Sequence, residues 1–465
     1  MRPLSLSLIY KEARAALEVA DIIFNFKEAH FMKYSIPKVQ KSLISLVRSL
    51  SPADVAKSPE KDFSRKRRCT LSDTVLTIIT MAGHFLRKEL DDYFLSNSRS
   101  LPSVSAFVQQ RAKLSPDAFP RIFRCFNNRL PFTQTYRGLH LIACDGTDLN
   151  IPSIPGDKDS FIPYNSKNGG YFQMHLTALF DLLEKRYLDA EVSPRRKMGE
   201  NPALCCMVDR NIFKGRTLYI ADRGFNCFNT FAHVINAGQF FLIRIKDLTS
   251  RNSFCKGISF PDTEEFDIVH TFILARKTIH DDRINTSYKS LQKHQVFDFI
   301  APDDKRTTFI MRLRIVKVKL GDDYEYLITN LPEKKYTMSE LKYLYNLRWG
   351  IETSFRQIKY ALALSYFHCK KREFIQQEIF ARLIMYNYVS LTIGSVAVNS
   401  AKKNKHEYKI SFSDSVNLCK RHLLQLITTE KLNALLLQRR SPVRPGRSFP
   451  RNIRSQQLKP LNNRA

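Results

Sequence analysis

A mixed α/β fold with helical ends is what the sequence predicts, and three observations predict it. Residues 1 to about 135 alternate apolar and basic positions at helical spacing. From 139 onward short apolar runs bounded by turn signals take over, and from about 337 to about 440 helical spacing returns. At 465 residues, 43% hydrophobic and 11% aromatic, the chain can bury full cores and divides into two to four domains.

The first stretch, MRPLSLSLIYKEARAALEVAD, breaks its apolar start with Lys11, Glu12 and Arg14, so it lacks the uninterrupted run of a secretory signal. Met32 offers a second candidate start. Ser51-Pro52 and Ser58-Pro59 read as helix beginnings, with Ser as cap and Pro in the first turn. VLTIITMAG (75–83) and YVSLTIGSVAV (388–398) read as core helices. PSVSAFVQQRAKL (102–114) and PDAFPRIFRCFNNRL (116–130) form either a helix-turn-helix carrying Arg111, Lys113, Arg121 and Arg124, or an ordinary helical pair with a solvated basic face. Arg65, Lys66, Arg67 and Arg68 invite the same two readings.

Strands follow at 139–144, 171–182, 186–192 and 217–221, and the Gly- and Pro-rich loop 152–170 excludes regular structure. A helix is predicted over 229–238. A second strand block comprises QFFLIRI, EFDIVHTFIL, VFDFIA, FIMRLRIVKVKL and YEYLITNL. The basic residues of MRLRIVKVK change phase between Arg314 and Lys317, which predicts a bulge or a strand end. Helix then persists from 337 to 440, and the last segment, rich in Arg and Pro without Asp or Glu, reads as a disordered basic tail.

Charge narrows the function classes. With 74 Lys and Arg against 44 Asp and Glu, the net charge of +30 favours a polyanionic partner, nucleic acid first. No apolar run reaches the roughly 18 residues of a spanning helix, so no membrane role is expected. Nine scattered cysteines with no C-x-x-C spacing read as reduced thiols of a cytosolic protein, and zinc is not expected.

Three carboxylates carry the chemistry. Asp145 in LIACDGTD and Asp222 in LYIADRGF each follow an apolar strand and precede a glycine within two residues. Two aspartates ending neighbouring strands would repel unless a cation joins them, and hard, oxygen-binding Mg²⁺, with Mn²⁺ as a substitute, suits that place. The third lies in YNLRWGIETSFRQIK (345–359). On one helix, Tyr345, Arg348, Glu352 and Lys359 fall within roughly a 60° arc at the border of an apolar face. Glu352 is then a metal ligand among phosphate anchors, with Tyr345 available to stack or hydrogen-bond. Ordinary alternatives stand beside each: an Asp before Gly forms turns, and Arg348 with Glu352 forms a surface i,i+4 pair. Asp148, Asp181 and Asp189 are given turn or structural roles, and Trp349 a packing role.

These motifs resemble those of bacterial insertion-sequence transposases of the DDE class, in the subgroup named for a Y-x2-R-x3-E-x6-K signature. Tyr345, Arg348, Glu352 and Lys359 match every spacing of that signature, and Asp145 and Asp222 match the two other motifs. The resemblance implies a ribonuclease H-like catalytic core at 136–238 and 331–390, interrupted by a strand-rich insertion at 239–330. It implies a helical DNA-binding domain at 1–135 and C-terminal helices at 391–440 that pair protomers, before the tail at 441–465. It further implies two Mg²⁺ ions on Asp145, Asp222 and Glu352, and DNA phosphates gripped by Tyr345, Arg348 and Lys359. The expected partners are double-stranded DNA, as terminal inverted repeats and target, and a second protomer in the synapse. The expected location is cytoplasmic, on the nucleoid. Relatives of the family often pass through a hairpinned, base-flipped end, for which the insertion here offers no tryptophan. A non-catalytic repressor and another ribonuclease H-like nuclease are the rival readings.

Overall fold

In a computed structural model the described residues are 34–443 except 66, 97, 165–168, 211–214, 247, 249–254, 256–257, 278–285, 321–322 and 397–407. The candidate starts at Met1 and Met32, Lys66, and nearly all of the predicted tail lie outside them.

The N-terminal third carries α1 (Ile36–Arg48), α2 (Pro52–Val55), α3 (Leu71–Thr80), α4 (Leu86–Phe94), α5 (Val104–Ala112) and α6 (Ala118–Arg129). Ser51 does precede a helix, its N–H donating to Asp54 Oδ2 at 3.0 Å. Ser58-Pro59 opens only turns. The helix-turn-helix reading loses its central cation, because Arg111 is 1% exposed. Its guanidinium donates to Glu378 Oε1 at 2.9 Å, Gln377 Oε1 at 2.9 Å and the Phe374 carbonyl at 2.6 Å. Arg121 pairs with Asp54 and Arg124 with Asp117. Arg111 therefore bolts α5 to a late helix and presents nothing to solvent.

That late helix is α11 (Arg372–Gly394), which follows α9 (Met338–Asn346) and α10 (Trp349–Tyr360). It is buried on nearly every side although it carries Gln377, Glu378 and Asn387, whose side chains are each bonded by other segments. One apolar core joins the N-terminal helices, α10, α11 and a sheet face, through residues such as Val75, Phe123, Phe180, Phe355 and Ile384. Helix does not persist to 440. Ala363, at φ +58°, turns the chain after α10, and a two-stranded sheet of β11 (Tyr408–Ile410) and β12 (Arg440–Pro442) brackets α12 (Phe412–Leu423) and α13 (Thr429–Gln438).

Between the helical ends the described residues form one ten-stranded mixed sheet. Its strands are β1 (Leu139–Ile151), β2 (Phe161–Pro163), β3 (Gly170–Asp181), β4 (Arg186–Pro194), β5 (Arg216–Ala221), β6 (Phe240–Ile245), β7 (Phe266–Ala275), β8 (Thr286–Ser290), β9 (Thr308–Leu320) and β10 (Asp323–Thr329). The order is β2-β3-β1-β5-β6-β10-β9-β7-β8, with β4 also on β3. β1, β5 and β6 run parallel, joined through α7 (Glu200–Asp209) and α8 (Phe228–Asn236). The second strand block thus extends the same sheet through β6 and β10.

Three strand expectations need correction. The loop 152–170 contains β2, whose Phe161 ring meets Phe172 across the edge of β3 at 5.3 Å. VFDFIA is not a strand: Phe297 and Ile300 plug a core from a turn-rich segment, and Phe299, packed against that core, completes with Phe297 the spacing that mimics strand alternation. β9 carries no bulge, since its ladders to β7 and β10 keep continuous register. Its phase changes because Met311, Leu313 and Ile315 face one core while Val316 and Val318 face another on the opposite side of the sheet. Arg314 is buried there, its Nε donating to Asp267 Oδ1 at 2.7 Å. Among the described residues no helix is long and apolar enough to cross a membrane.

The core under α11 is charged as well as apolar. His368 Nδ1 lies 3.1 Å from Glu378 Oε2 and Nε2 lies 3.7 Å from Glu89 Oε1. Burial works against the imidazolium, yet the two carboxylates outweigh it and hold the His368 pKa at about 9. A raised histidine pKa contributes stability that is complete below its unfolded value, near 6.5, and is lost as pH rises through the folded value. Urea midpoints are therefore expected to fall between pH about 6.5 and about 9, and His368→Gln to lessen that slope, the remainder coming from His175, which is also raised to about 9.

Candidate functional site

β1 pairs with β3 through Ile151 but with β5 only through Cys144, opposite Ala221. The parallel ladder stops there, so β1 loses its neighbour on that side at Asp145. Asp145 is therefore a mid-strand residue and not the strand end that its sequence suggests. Its carboxylate keeps an opening to the cleft, at 18% side-chain exposure, because the adjoining strand has finished. Asp222 follows the last paired residue of β5, and its Oδ1 accepts from the Gly224 N–H at 2.7 Å. The register sets both aspartates at one level of the sheet.

α10 brings the third carboxylate. Ile351, Phe355 and Ile358 pack into the core that includes Ala143 and Leu149 of β1, and Ser354 Oγ meets Tyr187 Oη at 2.8 Å. Glu352 is thereby held over β1. Arg348 spans the two elements: Nη2 donates to Glu352 Oε1 at 2.8 Å, and Nη1 lies 3.7 Å from Asp145 Oδ2. The side chains of Asp145, Glu352 and Arg348 are 18%, 26% and 7% exposed, dry enough to strengthen these contacts.

Tyr345 is not on this stripe. α9 ends at Asn346 and α10 begins at Trp349, and the link tightens to three-residue spacing, with Arg348 N–H to Tyr345 O and Ile351 N–H to Arg348 O. The overwound turn spoils the 100° wheel. Tyr345, 2% exposed, packs with Leu141, Leu218 and Leu344, and its ring lies 5.7 Å from the Arg348 guanidinium. Trp349, expected to pack, is 50% exposed, with that guanidinium 5.1 Å from its ring. Lys359 lies two turns beyond Glu352, and its half-buried ammonium donates to the Asp148 carbonyl at 2.9 Å. Burial lowers its pKa.

Glu200 and His175 share this cleft without having been singled out from the sequence. A Cβ on Gly146 would stand 2.2 Å from Glu200 Oε1, and one on Gly224 would stand 3.2 Å from Glu200 Oε2. The Glu200 carboxylate thus fills the gap that opens beside the middle of β1 where β5 ends. His175 Nδ1 meets Asp148 Oδ1 at 2.6 Å, and Arg195 Nε meets the same oxygen at 2.9 Å. Asp181 accepts from the Leu183 and Glu184 N–H groups, and Asp189 pairs with Arg210.

Burial pushes the Asp145 carboxyl up to about 7; the Gly146 N–H and Arg348 oppose the rise, and Asp222 and Glu200 add to it. Such crowding of hard oxygen donors suits a dication. Among the described residues no three His, Cys, Asp or Glu side chains stand close enough to hold a metal as arranged, and the Arg348 guanidinium supplies the positive charge between Asp145 and Glu352.

The family described as the transposase DDE domain matches residues 137–388, more than half of the chain and a span holding all three carboxylates. The chain is 24% identical over 422 residues to the transposase InsG for insertion sequence element IS4 of Escherichia coli (strain K12), covering 85% of this chain and 87% of that protein. It is 12% identical to the piggyBac transposase in a synaptic complex with hairpin DNA, covering 92% and 86% of the two chains. At a TM-score of 0.42 that likeness carries no argument.

Proposed function

Because this chain belongs to the transposase DDE domain family, enzymes of DNA strand cleavage and transfer, we propose that it cuts the ends of an insertion sequence and joins them to target DNA. One observation carries the reading: the β1–β5 ladder stops between Cys144–Ala221 and the aspartates that follow, while Arg348 ties Glu352 to Asp145 across the opening. A ribonuclease H-like core accords with this arrangement, a mixed sheet flanked by helices with acidic groups where parallel strands end.

Asp145, Asp222 and Glu352 would hold Mg²⁺ or Mn²⁺, and all are hard oxygen donors. Divalent ions there supply activation of the attacking oxygen and stabilisation of the leaving one. The chain's own residues do the rest. Arg348 positions Asp145 and Glu352 and exchanges those contacts for a DNA phosphate on binding, since a planar guanidinium suits either partner. Lys359 has three N–H donors, and the Asp148 carbonyl takes one, so its ammonium can also reach a phosphate. Tyr345 acts from beneath, its ring under Arg348, as a positioning residue and not a stacking surface.

The reaction is two successive in-line displacements. Water cuts the strand at the transposon end and leaves a 3′-hydroxyl, which then attacks target DNA. Cutting two ends in one synapse brings two protomers together on DNA.

Incubation of the protein with end-bearing DNA and a target duplex, with Mg²⁺ or with EDTA, tests the proposal. Metal-dependent nicking and joined product are expected. Nicking without joining would favour a nuclease, and binding without nicking a repressor. Lys359→Ala is expected to weaken DNA binding uniformly across sequences and to lower the slope of log affinity against log salt by about 1, as loss of one phosphate contact does. Fluorescence anisotropy over a salt series measures it, and an unchanged slope removes Lys359 from the interface.

A further inference from the structure

We propose that Glu200 is a fourth carboxylate of this site, a ligand to its divalent cation, oriented by His175. The inference rests on the catalytic reading above, and it concerns a residue that the three-carboxylate pattern does not contain.

Glu200 opens α7 on the chain between β4 and β5. A carboxylate anywhere in that first turn would satisfy the helix end, so the helix does not account for where this one points. Its two oxygens lie over different glycines: Oε1 over Gly146, next to Asp145, and Oε2 over Gly224, two residues past Asp222. Any side chain at Gly146 would meet Glu200 at 2.2 Å and His175 Nε2 at 2.6 Å. The backbone beside each aspartate is thus stripped to glycine where the fourth carboxylate enters. The neighbouring Asn201 fastens the helix there, its Nδ2 donating to the Gly224 carbonyl at 2.9 Å.

His175 is the independent observation. It sits on β3 opposite Asp148, 4% exposed. Nδ1 is engaged by Asp148, whereas buried Nε2 makes only a long ion-pair contact, 3.4 Å, with Glu200 Oε1, and no well-formed hydrogen bond. A buried ring nitrogen held this far from the carboxylate it faces is poorly satisfied, which is costly in a finished core. It is accounted for if Glu200 shifts to bind a cation and takes its hydrogen bond from His175 in the loaded state. Ligating carboxylates are commonly steadied by such a neighbour, and its loss weakens metal binding by about 10-fold or more.

Mn²⁺ binding to the full chain without DNA, followed by the electron paramagnetic resonance signal of free Mn²⁺, gives a readout separate from catalysis. Glu200→Gln, nearly the same in shape, is expected to raise the Mn²⁺ Kd about 10-fold. It should raise the Mg²⁺ concentration for half-maximal end cleavage in parallel and leave end binding in EDTA unchanged. Glu200→Asp, which keeps the charge on a shorter stem, should fall between and serves if the first variant fails to fold. Unchanged Mn²⁺ affinity and Mg²⁺ requirement in both would overturn the inference. Asp145→Asn separates the two claims: if it too binds Mn²⁺ normally, the catalytic site itself is misplaced, whereas loss there with Glu200 indifferent sinks only the fourth ligand.

Discussion

Asp145→Asn is expected to slow end cleavage by about 10²–10³-fold or more, the scale on which removal of one preorganised electrostatic group slows a reaction, while end binding survives. The substitution keeps the size of the side chain and an oxygen for the Gly146 N–H, which now bonds Asp145 Oδ1 at 2.8 Å. What it removes is the charge, in a place where burial and two neighbouring carboxylates already press the group toward neutrality. Asp222→Asn and Glu352→Gln should behave alike. Because residues that act as a unit are not additive, a double variant should lose little beyond either single one. Single-turnover cleavage beside a mobility shift in EDTA makes the measurement. A variant that cuts at close to the parental rate would remove its residue from the site.

Arg111→Ala is expected to cost about 3–5 kcal/mol of folding stability, because it breaks a buried ion pair and leaves the Glu378 carboxylate with only part of its countercharge. Arg111 and Glu378 are 2% and 1% exposed in their side chains, and Arg111 with His368 holds the Glu378 carboxyl well below the usual range against the opposing pull of burial. Arg121→Ala is the comparison. It breaks an ion pair with Asp54 that is 48% and 32% exposed, and should cost less than about 1 kcal/mol. Urea denaturation of both variants decides the matter. Equal losses would mean that Arg111 does not fasten α5 to α11.

The two arginines lie ten residues apart in the same basic helical pattern, and nothing local distinguishes them. Arg111 became internal because α11, more than 250 residues later, supplies Gln377, Glu378 and the Phe374 carbonyl. For the same reason β9 invites the reading of a bulge: a strand that buries one face and then the other alternates like a strand that has slipped. VFDFIA misleads in the opposite direction, since Phe297 and Ile300 are buried from a turn and no ladder is needed to make them apolar.

The candidate site divides in the same way. Asp145, Asp222, Arg348, Glu352 and Lys359 were legible because their chemistry is local to short motifs and their spacings can be counted. Tyr345 belongs to the same count but lies across a tightened turn, which turns it into the core. Glu200 and His175 carry no local signal at all. They converge only when α7 lies against β3, the middle of β1 and the end of β5.

By itself, then, the sequence determined the helical ends, the strand-rich centre and the basic charge, and it singled out three carboxylates as candidates, since apolar periodicity and residue type act over a few neighbours along the chain. Only the tertiary structure decided that Asp145 is uncovered by the end of β5, that Arg348 spans Asp145 and Glu352, that Tyr345 turns inward and that Glu200 joins the cleft. Those depend on which strand stops beside which and on what a helix meets across the core. Burial and charge pairing act through space, between segments that their order along the chain keeps far apart.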